Sequence, residues 1–168
     1  FIKNLEIALH VTNDIFKDYN FLDLKGELLI SVLENFEMPP GRGGILSLKK
    51  IKIIDDSYNA NPESVRAALD YLSCFKDCRK FFVFGDMKEL GDDEESFHTE
   101  IGQYAVGKTD ILFTVGKLAE KAQSNSNNFA LSLHFNDIFS LLEKLTELLT
   151  DGDIILIKGS RSMQLDQL

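Results

Sequence analysis

The segment Ile53-Ile54-Asp55-Asp56-Ser57-Tyr58-Asn59-Ala60-Asn61-Pro62-Glu63-Ser64 sets a dense group of hydrogen-bonding side chains behind an apolar run. An ionised Asp accepts hydrogen bonds at both oxygens, which suits recognition of ribose-type hydroxyls. Arg42, between Gly41 and Gly43, brings a guanidinium whose fork matches phosphate and offsets its charge. Further polar clusters are Gly85-Asp86-Met87-Lys88-Glu89-Leu90-Gly91, Gly116-Lys117, His134-Phe135-Asn136 and Lys158-Gly159-Ser160-Arg161-Ser162. Plainer readings stand beside these. Asp55 and Asp56 suit helix capping, Asn59 and Asn61 backbone turns, Asp86 and Glu89 a helix start, and Lys158 and Arg161 a solvated loop. His98 lies on a helix face and reads as structural, while His10 and His134 have no partner pattern. Neither G-x-x-x-x-G-K-[ST] nor G-x-G-x-x-G occurs, so this chain has no loop to cradle a triphosphate by itself.

The elements that must position these groups alternate along the chain. Ile45–Leu48 and Ile51–Ile54 read as strands, the first suited to an antiparallel edge, and the β-branched isoleucines favour a buried strand. Pro62 opens a helix to Phe75, with Asn61 able to cap it and Glu63 complementing its dipole. Strands are expected at 80–85, 110–115, 130–135 and 153–157. Helices are expected at 94–106, from 116 to 123 and at 137–149, with a loop at 124–128 and a helical start after Gly159. This order predicts an α/β, Rossmann-like fold: a mostly parallel sheet with helices on both faces. The polar clusters then fall at strand ends along one edge, where such sheets place ligands.

Residues 4–19 and 23–36 carry helical apolar spacing, and Met38-Pro39-Pro40-Gly41-Arg42-Gly43-Gly44 breaks it. Residues 1–40 therefore read as a helical tail of a preceding domain, and 41–168 as one domain. Opening on Phe1 rather than Met, the chain reads as a fragment. Its 168 residues are 44% hydrophobic and 27% charged, with a net charge of −9, which disfavours nucleic acid and anionic membranes as partners. No apolar run has the roughly 20 residues that span a bilayer, so a cytoplasmic protein is expected. Cys74 and Cys78 read as reduced structural thiols.

Taken together, Gly41-Arg42-Gly43, the Asp55–Pro62 stretch, Phe84-Gly85-Asp86-Met87-Lys88-Glu89-Leu90-Gly91, His98-x-Glu100-x-Gly102 and Lys158-Gly159-Ser160-Arg161-Ser162 resemble the C-terminal domain of the Mur ligase family. The resemblance covers residues 41–168 in the same order. Asp-Asp-Ser-Tyr-Asn-Ala-Asn and Gly-Asp-Met-x-Glu-Leu-Gly point within it to the branch joining D-alanyl-D-alanine to UDP-N-acetylmuramoyl-tripeptide in peptidoglycan synthesis. The resemblance implies an ATP-dependent ligase acting through an acyl phosphate. Mg2+ and the phosphate loop would belong to a central domain, so the chain would be inactive alone. It also implies ATP contacts at Asn4, Arg42 and Asp56, dipeptide-side contacts at Tyr58, Asn59, Asn61, Lys158, Ser160 and Arg161, no metal ligand in this part, and a monomer. Asn4 matches the second asparagine of a central-domain His-Asn-x-x-Asn motif, and Phe1 departs from the first. A non-catalytic nucleotide or small-acid binding module is the alternative. A folate polyglutamylating ligase usually shows Asp-x-Ala-His-Asn-Pro, and the histidine is missing here.

Overall fold

The structure, a computed structural model, describes residues 39–168. The expected helices at 4–19 and 23–36, the tail they would form, and Asn4 lie outside the described residues. Strands β1 (Gly44–Leu48) and β2 (Ile51–Asp56) make an antiparallel hairpin with Leu48 opposite Ile51. Four more strands follow: β3 (Lys80–Gly85), β4 (Ile111–Val115), β5 (Leu131–Phe135) and β6 (Ile154–Lys158). Across the sheet the order is β1-β2-β6-β3-β4-β5, and every pairing after the hairpin is parallel. The expected antiparallel edge is thus present, and so is the mostly parallel sheet.

Both faces are covered. Helices α1 (Pro62–Ser73) and α2 (Glu94–Ala105) and a 3-10 segment at Ala119–Asn128 lie on one side. Phe82, Phe84, Leu112, Ile154 and Leu156 point toward them and join Val65, Leu69, Leu72, Ile101 and Ala122. Helix α3 (Ile138–Leu148) lies on the other side. There Phe81, Val83, Phe113, Ile155 and Ile157 meet its Leu141 and Leu145. Successive strand residues serve opposite faces, so a central strand buried on both reads as a continuous apolar run. All five residues of β4 and of β6 are buried. Val65, Leu69 and Leu72 of α1 have no exposed surface, and each contributes about 1.5–3 kcal/mol of apolar transfer.

Two boundaries differ from the sequence expectation. β2 continues through both aspartates, because the parallel ladder from β6 pairs Asp55 with Ile157 and Asp56 with Lys158. Residues 119–128 form one kinked 3-10 segment rather than a helix and a separate polar loop, with Asn125 non-helical inside it. The short Ser and Asn side chains there compete for backbone hydrogen bonds and weaken regular α-helix. The start after Gly159 is likewise two 3-10 turns, Arg161–Met163 and Leu165–Gln167.

Candidate functional site

The carboxyl ends of β2 and β6 carry most of the predicted site residues. Asp55 acts as a clasp. Its Oδ1 accepts from the N–H and the hydroxyl of Ser57 at 3.2 and 2.6 Å, and its Oδ2 accepts from the Gly41 N–H at 3.0 Å. Backbone bonds complete the fastening: Gly43 N–H donates to the Asp55 carbonyl (2.7 Å) and Tyr58 N–H to the Gly41 carbonyl (3.0 Å). The approach needs a glycine. Gly41 sits at φ +73°, and a Cβ there would lie 3.0 Å from both Cβ and N of Tyr58.

This clasp brings Arg42 onto the site. Its guanidinium carbon lies 4.0 Å from the centre of the Tyr58 ring, within cation–π range. Arg161, from the turn after β6, approaches the same ring at 5.6 Å and is loosely paired with Asp166 at 3.4 Å. Tyr58 is 41% exposed. Two guanidiniums and one ring therefore face solvent together at this edge.

Asp56 lies beside them, its Oδ2 accepting from Lys158 Nζ at 2.5 Å. Burial raises its carboxyl pKa above the ordinary Asp value; Lys158 opposes this most strongly, Asp55 adds to it, and Arg42 opposes it more weakly. Burial in turn lowers the Lys158 ammonium pKa against the pull of Asp56. Lys158 Nζ also donates to the Asn59 carbonyl at 3.0 Å.

The dipeptide-side expectation divides. Lys158 and Ser160 are 1% and 4% exposed and face inward. Ser160 Oγ accepts from the Lys88 N–H at 2.8 Å, and its own N–H donates to the Asp86 carbonyl. Neither group is presented to solvent in this structure. Asn61 caps α1: its Oδ1 accepts from Ser64 N–H, and Ser64 Oγ accepts from Asn61 N–H. Asn59 Oδ1 accepts from the Ala60 N–H. The structure thus groups Arg42, Asp56, Tyr58 and Arg161 at the surface, with Lys158 beneath. Gly116 and Asn136 instead line an open cavity of about 320 Å³ with Ser162, Met163 and Gln167, whose walls include none of that group.

Asp86 has a larger role than its sequence reading. It is 3% exposed, and its Oδ1 accepts from the N–H groups of Leu118 and Ala119 at 2.9 and 2.8 Å. It caps a helical start, but the one after β4 rather than α2. His98 is wholly buried; its Nε2 accepts from Met87 N–H at 2.8 Å, so the ring proton sits on Nδ1 and is donated to the Glu94 carbonyl. Burial lowers its pKa. Cys74 and Cys78 are free thiols. Among the described residues, no group of three His, Cys, Asp or Glu is placed to hold a metal ion, and no helix is long and apolar enough to cross a membrane.

The fold recurs in known proteins. Residues 41–161 match the family model described as "Mur ligase, glutamate ligase domain". The chain belongs to the Mur ligase family. Among curated Mur ligase relatives, the UDP-N-acetylmuramoyl-tripeptide–D-alanyl-D-alanine ligase of Rickettsia prowazekii is 30% identical over 167 residues, covering 96% of this chain and 37% of that protein. The Bacillus subtilis enzyme of the same name is 40% identical over 124 residues, covering 70% of this chain and 27% of its own length. Among solved Mur ligases, MurF from Thermotoga maritima in complex with ADP superposes with a TM-score of 0.73 at 29% identity, over 82% of this chain and 31% of the other. The chain spans about a third of the length of these relatives.

Proposed function

We propose that this chain is the C-terminal domain of an ATP-dependent ligase that joins D-alanyl-D-alanine to UDP-N-acetylmuramoyl-tripeptide, and that residues 1–40 are the tail of its central domain. The observation that carries the reading is the convergence of Arg42, Asp56 and Tyr58 on one strand-end surface in a chain of this family. Lys158 holds Oδ2 of Asp56, and Oδ1 is positioned to accept from ribose hydroxyls. Arg42 is exposed and offsets the charge that gathers on phosphate oxygens. ATP supplies the phosphoryl group: a tripeptide carboxylate oxygen bonds to the γ-phosphorus as ADP leaves. The dipeptide amine then bonds to the acyl carbon, phosphate leaves, and the amine proton passes to solvent. Tyr58 and Arg161 face the side from which the dipeptide carboxylate arrives. On this reading any Mg2+ would be held by ligands of the preceding domain.

A phosphate-release assay with tripeptide precursor and dipeptide tests this. The isolated chain is expected to give no turnover, and Arg42→Ala in the full-length ligase to lower kcat roughly 100-fold or more. Turnover by the isolated chain, or an Arg42→Ala enzyme with unchanged kcat/KM, overturns the reading.

A further inference from the structure

Lys158 is the least expected charge in the fold. It ends an apolar strand, is 1% exposed, and its ammonium reaches across to the neighbouring strand rather than to water. Its partners are Asp56, 102 positions away in sequence, and the carbonyl of Asn59. Stability alone gives little reason for such a pair, because apolar replacement of a buried ion pair is often neutral or stabilising. The carboxylate it holds, however, belongs to the strand-end surface, with 23% of the Asp56 side chain still accessible.

We propose that Lys158 is a positioning residue for nucleotide capture: it fixes one oxygen of Asp56 and the carbonyl of Asn59, so that the free carboxylate oxygen faces the ribose. The proposal rests on the reading of Asp56 as the ribose contact. Three features carry it. The ladder register places Lys158 directly opposite Asp56 on adjacent parallel strands, so the contact is imposed by the sheet and not by a mobile loop. The bond to Asn59 anchors the stretch bearing Tyr58, so the same ammonium orders both a hydroxyl acceptor and the ring under Arg42. Lys158 also reaches no solvent, which leaves it no direct contact with a ligand and confines its influence to these partners. The opposed shifts of the two groups fit this, burial favouring the neutral form of each while the partner favours its charge.

The test uses the full-length ligase and compares Lys158→Met, Asp56→Asn and the double variant, with KM for ATP, kcat and the thermal midpoint measured for each. Lys158→Met is expected to raise KM for ATP roughly tenfold with kcat within about twofold, as for loss of one hydrogen bond to a charged group. Asp56→Asn should raise it comparably, and the double variant no further than Asp56→Asn alone, because Lys158 acts through Asp56. Lys158→Gln, which keeps an amide donor group and removes the charge, should recover part of the loss, and it carries the comparison if Lys158→Met does not fold. An unchanged KM in the Lys158 variants beside a raised KM in Asp56→Asn overturns the positioning role and leaves the ribose contact standing. An equal further rise in the Asp56→Asn background also overturns it. An unchanged KM in Asp56→Asn overturns the ribose contact itself.

Discussion

Replacing Asp86 with alanine separates a capping carboxylate from a ligand contact. One oxygen, Oδ1, receives both the Leu118 and Ala119 N–H groups, and the carboxylate is almost wholly enclosed. Alanine leaves two buried donors without a partner, at about 1–3 kcal/mol each. The Lys88 pair adds little, since that side chain is 45% exposed. A loss of about 3–4 kcal/mol follows for Asp86→Ala. At about 2.1 cal/mol/K of unfolding entropy per residue, over the roughly 130 residues of this unit, that is a fall of about 11–15 °C in Tm. Asp86→Asn retains an acceptor oxygen at the same place and loses only the charge, so about 1–2 kcal/mol, or roughly 4–7 °C, is expected. Circular dichroism melts of the 168-residue chain measure both. An alanine variant melting within about 2 °C of the parent, or the two variants melting together, refutes the capping role.

Two further outcomes follow from buried geometry. Burial lowers the His98 pKa from 6.5, so the unfolded chain takes up the proton first; stability present above pH 6.5 is lost as pH falls below it. Chemical denaturation between pH 7.5 and 5.5, about a unit either side of that value, should show this slope, and His98→Gln should flatten it. At Gly102 an added Cβ would lie 2.2 Å from the Ala122 carbonyl oxygen and 2.7 Å from its Cα. The obstacle is backbone, so Gly102→Ala should cost about 3 kcal/mol by overpacking, and a melt unchanged from the parent would show that α2 and the 3-10 segment separate freely.

The sheet is largely legible in the sequence because its central strands are short β-branched and aromatic runs between turn signals. The same reasoning stops β2 too early. Aspartate is poorly suited to a strand, and only the ladder from β6 draws Asp55 and Asp56 into it. Within the site, Arg42, Asp56 and Tyr58 are readable from motif and residue type. Lys158 is not: a lysine and a glycine after an apolar run look like a solvated strand end. Its burial depends on a partner 102 residues away, which no local pattern displays. The partners of Ser160 and Asp86 are hidden likewise, since Lys88 and the Leu118–Ala119 backbone come from other loops.

The Asp55 clasp has a consequence for how a ligand is gripped. With Gly41 and Gly43 bonded to Asp55 and Tyr58 bonded to Gly41, Arg42 is carried on the same piece of backbone as Asp56. If the proposed nucleotide contacts hold, a nucleotide touching one of them would meet the second without a search, as a chelator's second arm finds its ion. The two contacts would then act with a high effective concentration set by the sheet, forming and releasing as a unit. On that reading, loosening the clasp would weaken the grip without removing either side chain.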